Sequence, residues 1–251
     1  MASVTQRINE IKQPRGGYIK PKEFIIFSLE DNEILNNEEN IHSSIVGLTV
    51  DYMTRFLIGS SHKSAFQISL LGASIINELK YANELLYNIK GLDDNSIINA
   101  CKLSSFDVFF RSNIRDDRFN KKNLYVSDAT IKNIRIMINR SLKFFEKYGP
   151  IVKDSFTFEG GYTNIIQKGD GDFLTKDTLW DFKVSKNTPT SKNTLQLLIY
   201  YLMGKHSIHS EFESIDKIGI FNPRLNNIYL LEISNISDNV IYEVSKNIIG
   251  Y

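Results

Sequence analysis

"GDGDFLTKDTLWDFKVSKNTPTSKNTLQLLIYY", residues 169–201, places two acidic clusters and a lysine on two neighbouring elements of the chain. The runs "GDGDFLT" and "TLWDFKVS" predict β-strands joined by the tight turn "KDT", and "TLQLLIYYLMG" predicts the helix that follows. Residues two apart on a strand point to the same side, so Asp181 and Lys183 share one face. Asp172 lies on the preceding strand of this hairpin, and we expect its carboxylate to lie beside that of Asp181.

Two carboxylates at close range predict a bound cation, because they repel each other unless a cation lies between them or one is protonated. Mg²⁺ is usually held by one or two carboxylates together with waters and substrate phosphates. Lys183 would then position a metal-bound water, help its deprotonation or stabilise charge on a phosphate. Gln196 and Tyr200 lie one helical turn apart, where they would orient the site or contact a nucleic-acid backbone.

Three motifs follow one another in this region: G-x-x-D at residues 169–172, D-x-K at 181–183 and Q-x-x-x-Y at 196–200. In this order and spacing they resemble the PD-(D/E)xK nuclease superfamily, and the third motif is similar to that of its RecB-like branch. The resemblance implies an α/β fold with a restriction-endonuclease-like αβββαβ core around a mixed central sheet. It also implies hydrolysis of DNA with Mg²⁺ or Mn²⁺ as cofactor.

Carried over to this chain, the resemblance makes Asp172, Asp181, Lys183, Gln196 and Tyr200 the expected catalytic residues, with Asp172 and Asp181 as metal ligands. The RecB-like branch often has a histidine near the start of an upstream helix as a further metal ligand. His42, in "ENIHSSIVGLTVDYMTR", fits that position. The alternative for His42 is an ordinary residue that caps or packs its helix.

Other carboxylates and histidines near the motifs leave alternatives open. Asp170 shares a strand face with Asp172 and competes with it as the first metal ligand. Glu159 would either lean into the site from the first strand or be an ordinary residue at the end of that strand. His206 and His209, with Glu211, resemble a metal cluster, but they follow a helix in a polar loop.

The order of elements predicts a helical N-terminal half followed by the nuclease core. Residues 1–126 hold a turn-rich basic arm, a strand at "FIIFSL", a helix at "NIHSSIVGLTVDYMTRFLIG" and two or three further helices. Residues 127–251 begin with the helix "DATIKNIRIMINRSLKFFEKYG" and continue as strand, strand, strand, helix, strand, strand and a final helix. We expect the first part to pack on the second as one compact domain.

Composition narrows the class of protein. The net charge is +1, so the overall charge does not indicate a nucleic-acid-binding protein. Cys101 is the only cysteine, which excludes a disulfide framework. No apolar stretch is long enough to span a membrane, and the polar N-terminus lacks the apolar core of a signal peptide. We therefore expect a cytoplasmic protein with no membrane partner, and the abundance of Asn, Ile and Lys suggests a bacterial or phage origin.

A local basic surface is expected in residues 100–149, which hold eleven Lys and Arg against five Asp and Glu. Helical spacing places five of these on one side of a helix, opposite its apolar side chains. This side is interpreted as a phosphate-tracking surface or as an ordinary solvated face, and the arm "KQPRGGYIKPK" adds basic residues, with Tyr18 available to contact phosphate or a base. The five residues are Lys132, Arg135, Arg140, Lys143 and Lys147.

Together these patterns predict a metal-dependent nuclease that hydrolyses phosphodiester bonds in DNA, with RNA as a second substrate to consider. The alternative is a non-catalytic factor that binds nucleic acid or protein and retains the fold without turnover. Cleavage mode, strand preference, oligomeric state and any protein partner stay open at this stage.

Overall fold

The computed structural model describes residues 2–112 and 123–251. The chain forms two compact units, one of Met1–Leu29 with Phe144–Tyr251 and the other of Glu30–Lys143. The division expected from sequence lay between residues 126 and 127. The structure instead groups the first 29 residues with the C-terminal part of the chain.

About half of the chain is helical, and the strands are short. In chain order the helices are α1 (Val4–Glu10), α2 (Ser43–Leu57), α3 (His62–Ala65), α4 (Gln67–Ile75), α5 (Leu79–Tyr87), α6 (Asp94–Ser104), α7 (Asp107–Ser112), α8 (Asp128–Tyr148), α9 (Ser191–Lys205) and α10 (Asp238–Glu243). A π-helical turn, Val244–Ile249, follows α10. The strands are β1 (Ala2–Ser3), β2 (Ile25–Ser28), β3 (Lys153–Phe156), β4 (Ile166–Lys168), β5 (Gly171–Leu174), β6 (Thr178–Phe182), β7 (Lys217–Asn222) and β8 (Asn227–Glu232).

A mixed six-stranded sheet in the order β2-β8-β7-β6-β5-β3 is the centre of the first unit. β6 and β7 run parallel, and all other neighbours in this sheet are antiparallel. β1 and β4 form a separate parallel pair. The α/β class and the mixed sheet expected from sequence are thus confirmed, as is the strand at "FIIFSL", which becomes β2 at one edge.

β6 lies between β5 and β7 and packs on both faces. Leu179 belongs to the larger apolar cluster, which also contains Leu198 from α9. Trp180 belongs to an aromatic cluster on the other face with Phe144 and Phe221. The ring of Phe144 stacks on that of Phe221 with centroids 4.2 Å apart and meets Trp180 edge-on at 4.9 Å. An internal strand of this kind is expected to be apolar on both faces, so the polar residues on β6 require an explanation.

Gly219 makes room for Trp180 in this sheet. The two residues are paired across β6 and β7. A methyl group added at Gly219 would lie 2.3 Å from the indole Cζ3 atom of Trp180, which is far inside van der Waals contact. The indole is also oriented by a hydrogen bond of 3.0 Å from its Nε1 to the Thr175 hydroxyl. These contacts hold β6 firmly in the centre of the sheet.

The second unit is helical, and its core is organised around a buried carboxylate. Asp107, at the start of α7, accepts hydrogen bonds from the Tyr52 hydroxyl of α2 at 2.6 Å and from the Ser69 hydroxyl of α4 at 2.5 Å. Burial raises the pKa of Asp107 above its ordinary value, although these hydroxyls and Arg111 act in the opposite direction. One acidic side chain therefore ties three helices together.

Residues 63–112 contain more helices than the two or three expected from sequence. The structure has five short ones, α3 to α7, between residues 62 and 112. Backbone geometry at the junctions explains the breaks, because Phe66 ends α3 directly before α4 and Asn77 adopts a left-handed conformation with φ of 59° between α4 and α5. Within residues 2–112 and 123–251, no helix combines the length and the apolar character needed to cross a membrane.

Candidate active site on β5, β6 and α9

Asp172 and Asp181 face each other across the hairpin of β5 and β6. The antiparallel register pairs Phe173 with Trp180 and Leu174 with Leu179, and one further step sets Asp172 opposite Asp181. Directly opposed residues on antiparallel strands share a face, with Cβ atoms about 5 Å apart. Asp172 also replaces a ladder hydrogen bond, because its Oδ2 accepts from the backbone N–H of Phe182 at 2.7 Å.

Asp181 is buried, and Lys183 is its counter-charge. The carboxyl residue is 6% exposed, and the ammonium of Lys183 lies 2.9 Å from Oδ1 and 2.8 Å from Oδ2. Only the contact to Oδ1 has the angles of a hydrogen bond. Oδ2 of Asp181 is therefore a buried carboxylate oxygen near a cation that accepts no hydrogen bond from the described part of the chain. Such an atom is costly in a protein interior unless another positive group reaches it.

Lys183 is charged in this environment. Burial favours the neutral amine, but the carboxylates of Asp181 and Asp172 outweigh it, so the pKa of Lys183 is raised above its ordinary value. Asp172 and Asp181 thus bring two carboxylates to the ammonium of Lys183. This arrangement suits an additional cation better than an additional anion.

Gln196 and Tyr200 are brought together on α9, as their spacing predicts. Nε2 of Gln196 donates to the Tyr200 hydroxyl at 2.9 Å. Tyr200 is 7% exposed and belongs to the larger apolar cluster. Burial raises the pKa of Tyr200, and the negative charges of Asp181, Asp172 and Asp170 raise it further. The phenol is thus a neutral hydrogen-bonding group on the helix next to the carboxylates.

Asn222 is a structural part of the site that the sequence motifs do not mark. It lies at the end of β7, is 1% exposed, and donates from Nδ2 to the carbonyl of Ser185 at 2.9 Å. Its Oδ1 accepts from the backbone N–H groups of Ser185, Arg224 and Leu225 at 3.5, 3.0 and 3.3 Å. The segment after Lys183 is therefore fixed by one amide, and the dipeptide Asn222-Pro223 at a strand end was the signal available in the sequence.

The donors of the site fit a divalent cation that keeps part of its hydration. Within the described ranges 2–112 and 123–251, no three His, Cys, Asp or Glu side chains gather so that they could hold a metal ion. The opposed side chains of Asp172 and Asp181 would hold the ion. Oδ2 of Asp181 accepts no hydrogen bond from the described residues, so it is the oxygen best placed to bind a cation. Two carboxylates with waters and substrate oxygens suffice for Mg²⁺.

His42 lies in the second unit, where it caps α2. The side chain is exposed, and its Nδ1 accepts a hydrogen bond from the backbone N–H of Ser44 at 3.2 Å. A neutral imidazole with an accepting Nδ1 carries its proton on Nε2, so neither nitrogen offers a lone pair to a metal in this state. The observed contact corresponds to the capping alternative, and the role of His42 as a metal ligand stays a prediction.

The alternative residues considered beside the motifs have other partners or positions. Asp170 is exposed in the turn before β5, whereas Asp172 lies within the strand. Glu159 is exposed and lies 3.3 Å from Nε2 of His209. His206 stacks on Tyr251. Glu211 pairs with Lys153 rather than with a histidine.

The five basic residues on α8 do not form one solvent-facing surface. Arg140 is buried and forms an ion pair with Asp31, and it also donates to the carbonyl of Glu33 at 2.8 Å. Arg135 pairs with Asp94 and donates to the carbonyl of Leu92 at 3.1 Å. The observed positions of these arginines differ from the expected ones because helical spacing identifies one side of α8 but not the acidic segment that packs on that side.

Of the other basic positions of this region, Lys102 is half-buried, and the remainder are exposed or lie outside the described part. Lys132, Lys143 and Lys147 are exposed, and the ammonium of Lys143 donates to the carbonyl of Glu30 at 3.0 Å. The basic residues between 113 and 122 lie outside the described residues. They are Arg115, Arg118, Lys121 and Lys122.

No protein-family model, curated protein or solved structure matches this chain. The candidate site is therefore interpreted from its own geometry, together with the resemblance of its three motifs.

Replacement of Asn222 by Ala is expected to lower the free energy of unfolding by about 1–3 kcal/mol, because four buried or half-buried backbone groups lose their partner. Urea unfolding measures this change. Asn187→Ala, in the exposed part of the same loop, is the control and should change stability by less than about 0.5 kcal/mol. Equal stability of both variants would show that Asn222 does not hold the loop.

Replacement of Arg140 by Met is expected to cost about 3–5 kcal/mol, because it leaves Asp31 buried without its cation. Burial alone would raise the pKa of Asp31, but Arg140 and the N–H of Glu33 outweigh it and lower this pKa. The stabilisation is therefore present above the ordinary pKa of Asp and is lost as the pH falls through the lowered value. The difference between wild type and variant should shrink in acid, as followed by urea unfolding from neutral pH to below about pH 4. Lys132→Met is the exposed control, and a variant as stable as this control would contradict the ion pair.

Two substitutions of His42 distinguish a cap from a ligand. If His42 caps α2, His42→Ala should lower stability by about 0.5–2 kcal/mol, and His42→Asn should retain it, because Asn is a good N-cap. Metal dependence of any nuclease activity should be unchanged in both variants. Loss of activity and of the preference for Mn²⁺ over Mg²⁺ in both variants, with wild-type stability, would instead establish the ligand.

Proposed function

We propose that this chain is a metal-dependent nuclease that hydrolyses phosphodiester bonds, with DNA as the main substrate. The observation that carries the proposal is the opposed pair Asp172 and Asp181, with Lys183 on the second carboxylate and a buried oxygen left without a donor. Two carboxylates that repel each other on neighbouring strands, one of them buried, lower the stability of the fold, so they are not expected in a purely structural role. It has a clear use in binding a divalent cation.

The topology supports the same proposal. α8, β3, β5, β6, α9 and β7 occur in this order along the chain, with the short strand β4 between β3 and β5. Four of the strands lie side by side in the order β3-β5-β6-β7, with β6 and β7 parallel. Apart from β4, which pairs with β1 outside this sheet, the order supports the proposed αβββαβ core, and the three motifs lie at its second strand, third strand and second helix.

Each residue then has a role that follows from its position. Mg²⁺ or Mn²⁺, when bound, would polarise the phosphate and lower the pKa of a water. Asp172 and Asp181 would hold the ion. Lys183 is a cation, so its part is to orient the attacking water and to stabilise the negative charge that develops on the phosphate. Gln196 would orient the Tyr200 hydroxyl, which is held neutral beside the site.

Cleavage assays test the proposal directly. The full chain is incubated with linear and circular DNA, single- and double-stranded, in Mg²⁺, in Mn²⁺ and in EDTA. We expect cleavage with either metal and none in EDTA, and a loss of about 100-fold or more in Lys183→Met, as for removal of a group that stabilises the transition state. Lys176→Met, at an exposed lysine of the turn between β5 and β6, is the matched control.

Metal binding provides a second, independent readout. Mg²⁺ or Mn²⁺ should raise the melting temperature of wild type by binding the native state, and Asp181→Asn should weaken that response. No cleavage together with no metal-dependent stabilisation would favour the non-catalytic alternative. Cleavage by Lys183→Met at the wild-type rate would remove Lys183 from the mechanism.

A further inference from the structure

A strongly basic surface adjoins the candidate site within the first unit. It consists of residues 11–22, here called the basic arm, and residues 184–192, which run from the end of β6 into the first turn of α9. The two segments contain six Lys and Arg and no Asp or Glu, although the whole chain carries a net charge of only +1. The six are Lys12, Arg15, Lys20, Lys22, Lys186 and Lys192.

Hydrogen bonds hold the basic arm on the N-terminal end of α9. The Thr194 hydroxyl, which is fully buried, donates to the carbonyl of Ile19 at 2.6 Å. The ammonium of Lys192 donates to Oδ1 of Asn9 at 2.7 Å, which anchors the residues just before the arm. The position of the arm is thus set by specific contacts to the helix that carries the Q-x-x-x-Y motif.

Gly17 allows the close approach of the arm to α9. Its φ of +98° lies in the left-handed region that glycine tolerates. A methyl group at this position would lie 2.5 Å from Cβ of Ser191, the first residue of α9. The backbone of the arm and the first turn of the helix are therefore in direct contact.

The charged side chains of the arm face solvent, whereas its aromatic residue is half-buried. Lys12, Arg15, Lys20 and Lys22 are exposed, and among the described residues none of the four forms an ion pair with a carboxylate. Tyr18 packs against the larger apolar cluster and thereby anchors the arm. The surface offers positive charge for contacts to phosphate.

The basic arm lies at the N-terminal end of the helix that carries the Q-x-x-x-Y motif. Gln196 follows Ser191 by five residues and Tyr200 follows it by nine, which correspond to about 7.5 Å and about 13.5 Å along the helix axis. Gln196 contacts Tyr200, whose hydroxyl lies in the field of Asp172 and Asp181. The first turns of α9 therefore connect the arm to the candidate site.

We propose that the basic arm binds the phosphate backbone of the DNA substrate beside the bond to be cleaved; this inference rests on the proposed nuclease function. The arm is favoured over α8, where Arg135 and Arg140 are already engaged in ion pairs. The charges of the arm suit contacts to the phosphate backbone, which position a protein on DNA and carry no sequence information directly.

Fluorescence anisotropy with labelled DNA tests the arm separately from catalysis. Affinity is measured in EDTA, where no cleavage occurs, over a range of KCl concentrations. The arm variant carries Lys12→Gln, Arg15→Gln, Lys20→Gln and Lys22→Gln. The control variant carries Lys63→Gln, Lys80→Gln, Lys90→Gln and Lys246→Gln, which removes the same charge from other exposed positions. Circular dichroism and melting temperature establish that both variants are folded.

We expect the arm variant to lose at least tenfold in affinity at about 0.1 M KCl, with a slope of log K against log[KCl] that is shallower by about two to four. The control variant should bind as wild type does. Equal affinity and slope of arm variant and wild type would overturn the proposal. A loss found only in the control variant, or wild type that binds no DNA at low salt, would overturn it as well.

The two proposals fail in different experiments. Wild type that binds DNA through the arm but cleaves none in Mg²⁺ or Mn²⁺ would remove the nuclease function and leave the arm as a nucleic-acid surface. Cleavage by wild type, with unchanged DNA affinity in the arm variant, would retain the nuclease and remove the arm.

Discussion

A negative charge inside a sheet is the constraint on which the first unit depends. Asp181 lies on β6 between two neighbouring strands and is 6% exposed. A carboxylate in this position must be neutralised, since the cost of an isolated buried charge exceeds what any single apolar contact contributes. Lys183 supplies one positive charge, but Asp172 adds a second carboxylate opposite the first. The pair of carboxylates beside one ammonium is the feature on which the proposed metal site rests.

The surrounding packing makes that constraint tolerable. Apolar clusters cover both faces of β6, and Trp180 is locked between Gly219 and Thr175. Asn222 fixes the segment that leaves the strand after Lys183. Rigid elements hold functional groups most precisely, and a central strand carries the proposed metal ligand Asp181, with Lys183 directly after the strand. The cost of burying charge is offset by the dense packing on either side of it.

Positive charge is divided between structural and solvent-facing positions. Arg140 and Arg135 pair with acidic side chains of their own unit, so they stabilise the helical unit. The cations of the basic arm point to solvent, while the arm backbone is bonded to α9. The same residue types thus have different uses, and the distinction depends on whether a carboxylate lies within reach.

Local patterns in the sequence were sufficient for the elements around the site. Alternation along "TLWDFKVS", the turn "KDT" and the helical run after Asn193 placed Asp181 on the correct strand and Tyr200 on the correct helix, whereas Lys183 follows directly after β6 and not within it. Those features depend on residues close together in the chain, whose backbone preferences and periodicity decide the outcome. The short helices of residues 62–112 were harder, because their boundaries depend on junction geometry such as that at Asn77 and not on periodicity.

The sequence by itself determined the α/β class, the hairpin with its opposed carboxylates and the spacing of Gln196 and Tyr200. Only the tertiary structure decided that Arg140 is buried against Asp31, that Asn222 holds the segment after Lys183, and that residues 1–29 group with the C-terminal part. The physical reason is the distance along the chain over which each kind of interaction acts. Periodicity and turn chemistry act over a few residues, whereas a partner for a charge or an amide can come from anywhere in the chain and is chosen by packing.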